Sequence, residues 1–515
     1  MTDSMVGFVL VLPALAIFCG VILYPFVNSV LMSFTDKSLV MPTSQFVGVE
    51  NYIKTFKDPT FVRTLTNTAV FVICSTALPF ILGLIWSIIL DLKFKGAGIM
   101  RGATLINWII PGASISFLWS FIFDANHGIV NELLTGAGLI DSNINWLGSG
   151  KTAMMAVIIA RTWQMLPWYM AFLTGGLQGV SYDQIEAARM DGAGNLKVFR
   201  HVILPEMKPI IVIVLVLGII GNLQHFDIPQ VMTSGGPAGS TTLLSTAVYR
   251  QAFSSYKVGM AATIGTIWAI FLAMFSILQQ KCRKRLGGIY MFSKTKGFKA
   301  FIGIFSIIIG LFVFFPLFWM INTALKTGDQ TFHVSLFLNH FTPEHVMSVL
   351  KDKEILNCLK NSLLVSFTSS FCGTLVAMFA GFSFSKFRYV GKRGFMSLVM
   401  MAQAFPQAIL LLTLYIMMQK LGLDGSYTAL ILSYTAFVLP VGTWTLKAYF
   451  DQLPDALIES AKIDGAGWGT IIFKIIFPLS IPGVISTAIY AFVWSWNDLL
   501  YSLTLITDAS RRTLA

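Results

Sequence analysis

Two ten-residue stretches carry the residue types best suited to a specific interaction. Around position 186 the chain reads Ile-Glu-Ala-Ala-Arg-Met-Asp-Gly-Ala-Gly, and around 459 Ile-Glu-Ser-Ala-Lys-Ile-Asp-Gly-Ala-Gly. The two glutamates stand 273 positions apart, and each lies 19 residues before a proline, Pro205 or Pro478. Small Ala side chains let such an element press closely on a partner, and an exposed Glu beside them can pair with a basic group. Gly192 and Gly194, or Gly465 and Gly467, suit the tight turn of a helix–turn–helix. A membrane-surface helical hairpin with no partner is the bland alternative; two copies at one spacing favour docking.

A second set lies inside apolar runs, where polar groups are costly and face a cavity or a partner. Asn222 and His225, three apart, are expected on one helix face, with Gln224 and Asp227 nearby. Arg161, Gln164, Met165 and Trp168 share a face of the preceding run, beside Trp163 and Pro167. An aromatic next to hydrogen-bonding groups is what a sugar needs: a surface for its C–H face and partners for its hydroxyls. Arg161 either meets an anionic sugar or pairs with a neighbouring carbonyl or acid. His225 reads as a hydrogen-bonding residue rather than a metal ligand, since no second ligand is apparent. Trp494, Trp496, Asn497 and Asp498 either line a pore or form an interface between halves.

Other chemistries find no support. Gly148-Ser149-Gly150-Lys151-Thr152 resembles the end of a P-loop, but Asn145 stands where the pattern needs glycine. Cys19, Cys74, Cys282, Cys358 and Cys372 are scattered, with no C-x-x-C, so neither a zinc site nor a disulfide framework is indicated. No nucleophile motif or metal-spaced His/Asp/Glu set suggests an enzyme. The net charge of +12 comes without a basic aromatic module, so nucleic acid is not an expected partner.

The elements that position these residues are membrane spans. The chain is 55% hydrophobic and 12% charged, with mean hydropathy +0.73, whereas soluble domains carry about 25% charged residues. Apolar runs long enough to cross a bilayer occur at 6–33, 66–90, 100–123, 152–176, 207–228 and 258–280, then at 299–322, 359–383, 394–418, 428–447 and 480–504. The first lacks a basic n-region and a cleavage site, so it reads as a span, not a signal peptide. Lys93, Lys95 and Arg101 follow the second span; Lys386, Arg388, Lys392 and Arg393 occupy the matching loop of the second half. The positive-inside rule makes these loops cytoplasmic. The loop Asp124 to Gly150 holds Asp124, Glu132 and Asp141 and no Lys or Arg, and falls outside. Both duplicated stretches then lie on the cytoplasmic side. The segment 281–298, rich in Lys and Arg and without an acid, is the expected cytoplasmic linker; Met291 within it could start a separate polypeptide. The expected organisation is a first unit at 1–280, with its docking loop at about 181–205, and a second unit at 299–515, with its loop at about 454–478. At the same offset a sixth span of the second unit would begin near 531, so a fragment of eleven spans where twelve belong is expected.

The duplicated stretches resemble the EAA loop of ATP-binding cassette (ABC) importer permeases. Leu12-Pro13-Ala14, Tyr24-Pro25, Phe46-Val47-Gly48 with Asn51-Tyr52, and Ser234-Gly235-Gly236-Pro237 resemble the carbohydrate branch of that family, its maltose-type first permease in particular. Pro316-Leu317-Phe318-Trp319-Met320 and Ser495-Trp496-Asn497-Asp498 resemble its second permease. The resemblance covers nearly the whole chain. It implies an all-α integral membrane protein, the transmembrane domain of a type I importer, with two tandem permease units of about six and five spans fused in one chain. It implies that Glu186, Ala187, Ala188, Asp191 and Gly192, and Glu459, Ala461, Asp464 and Gly465, form coupling elements for two cytosolic ATPase subunits; Ser460 replaces the motif's second Ala. ATP and Mg would be bound by those subunits and no cofactor by this chain. An extracytoplasmic solute-binding protein would deliver the sugar, across a bacterial or archaeal plasma membrane. The family's sugar contacts align with Arg161, Gln164, Met165, Trp168, Asn222 and His225. Asn222 keeps the family residue, whereas Arg161 and His225 replace asparagines, so maltose is not implied. An ion-coupled secondary transporter is the rival reading; its usual inverted repeats contrast with the parallel repeat here.

Overall fold

The computed structural model describes residues 3–41, 43–91, 94–282, 296–327, 341–402 and 405–514. They are helical, with one isolated bridge, Thr35 to Phe46, in place of any sheet. The principal helices in the first half are α1 (Asp3–Met32), α2 (Pro59–Asp91), α3 (Ala97–Ile109), α4 (Gly112–Ile122), α5 (Ala153–Gln178), α6 (Tyr182–Met190), α7 (Phe199–Leu223), α8 (Asp227–Thr233) and α9 (Val258–Cys282). Then follow α10 (Lys296–Ala324), α11 (Lys353–Lys386), α12 (Lys392–Met401), α13 (Gln407–Lys420), α14 (Tyr427–Asp451), α15 (Ala456–Ile463), α16 (Trp468–Leu479), α17 (Ile481–Trp496) and α18 (Leu500–Leu505). The linker expected at 281–298 lies almost wholly outside the described residues.

Several expected spans are not single straight helices. Among the described residues six helices are long and apolar enough to cross a bilayer, and two bent pairs qualify if each is one span. The expected span 100–123 is broken into α3 and α4, which meet at 98°. Pro111 is the cause: it donates no N–H and holds Ile110 extended (φ −65°, ψ 130°). Ser480 and Pro482 interrupt the run ahead of 480–504, where α16 and α17 meet at 75°. The expected span 394–418 is two helices, α12 and α13, with Pro406 heading the second.

Two further breaks carry no proline. The expected span 207–228 stops at Leu223, and α8 restarts at Asp227. The expected span 480–504 stops at Trp496, and α18 restarts at Leu500. Both ends and both restarts are related by the 273-residue offset of the duplicated stretches, so the break is part of the repeat.

The chain packs as two compact units that do not follow its sequence halves. One comprises Met1–Tyr52, Gln251–Ala269 and Asp352–Ala515; the other comprises Ile53–Arg250 and Ile270–Lys351. In the first unit α1 lies in a groove of second-half helices. Val11 and Ala14 are fully buried in a core with Ala377, Leu439 and Leu446. Ser383 Oγ donates to the Gly7 carbonyl at 2.5 Å, and Ser29 Oγ donates to the Ile409 carbonyl at 3.0 Å. In the second unit α10 takes the corresponding place against first-half helices. Ile309 and Val313 pack with Trp86 and Leu166, and Trp163 Nε1 donates to the Val313 carbonyl at 3.0 Å. The first span of each sequence half is thus an integral part of the other half's core.

Candidate functional site

The duplicated stretches fold alike. In α6, Asp191 ends the helix at φ −73°, ψ 7°, and Gly192 follows at φ +79°. In α15, Asp464 has the same angles and Gly465 has φ +78°. Ala193 N donates to the Ala188 carbonyl and Ala466 N to the Ala461 carbonyl, both at 2.9 Å. This is the Schellman arrangement, whose left-handed residue favours glycine. Glu186, Ala187, Asp191 and Gly192 are exposed and Ala188 is half-buried. Glu459, Asp464 and Gly465 are exposed, while Ala461 is buried against its own unit's core. Each element also presents a large apolar side chain that the spacing argument did not single out. Met190 is 84% exposed and Ile463 is 85% exposed, at equivalent positions of the repeat.

The intramembrane candidates separate into three settings. Arg161, Gln164 and Asn222 come together in the second unit. Arg161 Nε donates to Asn222 Oδ1 at 2.8 Å, and its Nη1 donates to Gln164 Oε1 at 2.6 Å. Asn222 Nδ2 donates to the Ser75 carbonyl at 2.9 Å and to Thr76 Oγ1 at 3.0 Å. Both amide protons and the carbonyl of Asn222 are therefore engaged within the protein, and the side chain is wholly buried. This network ties α2, α5 and α7 together. Asp227, heading α8, acts electrostatically on Arg161. Its carboxylate also fills the space beside Gly112, where a Cβ would lie 2.6 Å from Oδ2. Arg161 is thus bonded to two neighbouring side-chain amides.

His225 does not share a helix face with Asn222. It lies in the break after α7, where its N–H bonds the Asn222 carbonyl at 3.3 Å and its own carbonyl accepts from Ser245 Oγ at 2.6 Å. Its ring stacks on Phe71 at 6.0 Å between centroids. Met165 and Trp168 pack instead with an apolar cluster around Tyr169 and Leu173. Trp168 meets Phe172 at 4.7 Å and is half-buried.

The second half places Asp498 at the position of the repeat that His225 holds in the first. Asp498 Oδ2 accepts from Tyr434 Oη at 2.8 Å and from Tyr501 N at 3.0 Å, capping α18. Trp494 packs edge-on against Tyr434 at 5.6 Å. Ser366, Ser495, Trp496 and Asp498 line a small cavity inside this unit. Near residue 148, Asn145 Oδ1 accepts from Gly148 N at 2.8 Å in a turn that runs directly into α5, with no preceding strand, so the P-loop-like run does not form a P-loop.

Apolar helices broken at matched polar positions, and two matched exposed elements, define a multi-pass helical membrane protein of transport type. The chain belongs to the family of binding-protein-dependent transport system inner membrane components, whose pattern matches residues 79–288 and 373–514. Each match contains one duplicated element. The trehalose/maltose transport system permease protein MalF of Thermococcus litoralis is 31% identical over 280 residues, covering 54% of this chain and 94% of that protein. The probable ABC transporter permease protein YurN of Bacillus subtilis is 30% identical over 281 residues, covering 54% and 96%. The probable ABC transporter permease protein y4oQ of Sinorhizobium fredii is 33% identical over 267 residues, covering 52% and 85%. The chain is thus an ABC importer permease, a transport subunit.

Proposed function

We propose that this chain is a double permease, with homologous units at 1–280 and 299–515, that moves a sugar or oligosaccharide inward. In this reading an extracytoplasmic binding protein delivers the sugar, and two cytosolic ATPase subunits, which hold the ATP and Mg, engage α6 and α15. The observation that carries it is the pair of exposed, Schellman-capped elements with superposable angles at one sequence offset. Two equal docking points suit two equal motor subunits. The sugar assignment draws support from the trehalose/maltose relative and from the aromatic and amide groups of α5 and α7. Met165 and Trp168, both half-buried, offer a face to the path. Arg161, Gln164, Asn222 and His225 brace that face, and they reach substrate only if the bracing opens during the cycle.

Proteoliposomes containing the chain, its ATPase and its binding protein test this. Sugar uptake is expected to require ATP and to fall at least ten-fold in Glu186→Lys or Glu459→Lys, with loss of ATPase co-purification. Uptake by the chain alone, driven by a proton or sodium gradient, would overturn the proposal.

A further inference from the structure

The two docking elements share a backbone but not a setting. In the first compact unit the N-terminal turn of α1 reaches the second element. Lys462 Nζ lies 2.9 Å from Asp3 Oδ2, and Trp468 Nε1 donates to Asp3 Oδ1 at 3.0 Å. The same ammonium stands 4.2 Å from the centroid of the Trp468 ring. Carboxylate, ammonium and indole therefore close a triangle in which each touches the other two. Lys462 belongs to α15 itself, one residue before the exposed Ile463, and Trp468 opens the helix that follows.

The end of α1 that carries Asp3 is held firmly. Ser4 Oγ donates to the Arg388 carbonyl at 2.9 Å. Gly7 is pressed so closely on residue 387 that an added Cβ would lie 2.5 Å from Phe387 Cβ. Phe387 in turn packs on Trp468 at 4.5 Å between centroids. Asp3 is thus presented from a fixed platform. At the corresponding positions of the first copy stand Arg189 and Asn195, so that copy has no indole to complete such a triangle.

We propose that Asp3, Lys462 and Trp468 form a latch through which the first helix of the chain sets the position of the second coupling element. The inference rests on reading α15 as an ATPase-docking element. The pair is partly exposed, and a lone pair of that kind contributes little to stability. The cation–π contact and the indole bond add direction rather than strength. The latch therefore governs coupling, not folding. When the ATPase pulls α15, α1 must follow or the triangle must open. Asp3 and Trp468 are positioning residues.

The experiment uses the full chain with its ATPase and binding protein in proteoliposomes. It measures substrate transported per ATP hydrolysed, together with hydrogen exchange of the 456–466 amides. Asp3→Asn and Lys462→Met are expected to lower the transport-to-hydrolysis ratio about three-fold, with unchanged thermal stability. Trp468→Phe, which keeps the ring, is expected to fall between them and wild type. The exchange Asp3→Lys with Lys462→Asp is expected to recover most of the ratio. ATPase binding should slow exchange at 456–466 in the wild type; if it does not, the docking reading itself fails. If exchange slows normally but Asp3→Asn and Lys462→Met keep the wild-type ratio, docking stands and the latch is overturned. Failure of the charge exchange to recover a lowered ratio also overturns it, because the effect then does not arise from the pair.

Discussion

Replacing Asn222 by leucine tests whether the buried network holds the second unit together. The substitution keeps the number and branching of the side-chain heavy atoms and deletes three hydrogen bonds: one from Arg161 Nε at 2.8 Å, and those to the Ser75 carbonyl and Thr76 Oγ1 at 2.9 and 3.0 Å. A bond to a charged group contributes about 1.5–3 kcal/mol and a neutral one about 1 kcal/mol, while interhelical bonds within membranes average nearer 0.6 kcal/mol. The Ser75 carbonyl retains its helical surroundings, and Thr76 can turn back onto its own helix. Arg161, only 7% exposed, cannot find water and is left with Gln164 and the field of Asp227. The expected loss is about 2–4 kcal/mol. At roughly 2 °C per kcal/mol for a unit of this size, the melting midpoint in detergent should fall by roughly 4–8 °C. The assay is the fraction of monodisperse protein after heating, read by size-exclusion chromatography. Asn222→Asp keeps an acceptor for Arg161 and should lose less than half as much. A leucine variant melting within about 1 °C of wild type would refute the network's role in joining α2, α5 and α7.

Three other outcomes follow from particular contacts. Tyr169 Oη occupies the space a Cβ on Gly218 would need, so Gly218→Ala should cost about 1–3 kcal/mol, and adding Tyr169→Phe should restore part of it in the same melting assay. Gly465→Val places a branched residue at φ +78°, at a cost of about 1–2 kcal/mol in that turn; ATPase stimulation should drop while global melting barely moves. Burial, then the nearby Lys447 and Arg388 cations, lower the pKa of Lys392 against the opposing pull of Asp451. The unfolded chain then binds the proton more tightly, so stability should rise with pH between that lowered value and about 10.5. Lys392→Met should flatten this alkaline slope, as melting at stepped pH would show.

The duplicated elements are legible because two signals repeat: the residue types and their spacing. Gly192 and Gly465 stand where left-handed turns form, and Asp191 and Asp464 sit at the helix ends. The breaks after Leu223 and Trp496 lie inside apolar runs, with no proline at either break. The first is held by a tertiary bond, the Ser245 hydroxyl on the His225 carbonyl; at the second Asp498 caps Tyr501 and Ser502 locally and also accepts from the distant Tyr434 hydroxyl. For that reason the three-residue spacing of Asn222 and His225 does not put them on one helix face. Pro111 marks its break locally, although apolar composition continues on both sides. Residues 161, 164, 165 and 168 do share one side of α5, yet a shared face does not say which members bond each other. The exposure of Met190 and Ile463 depends on a surface that only the folded chain defines.

The exchange of first helices has a consequence for biosynthesis. Gly7 and Ser383, joined by a hydrogen bond, are 376 residues apart. A ribosome adding about 5–20 residues per second makes Gly7 roughly 20–75 s before its partner exists. Throughout that interval α1 stands in the bilayer with its small-residue face, Gly7, Ala14 and Ser29, still open to lipid or to the insertion machinery. Neither half, produced alone, would own a finished interior: each would lack the helix that completes its core and would carry one with nowhere to lie. Carrying both halves on one polypeptide guarantees that each nascent core meets its missing piece in equal number and in the same patch of membrane.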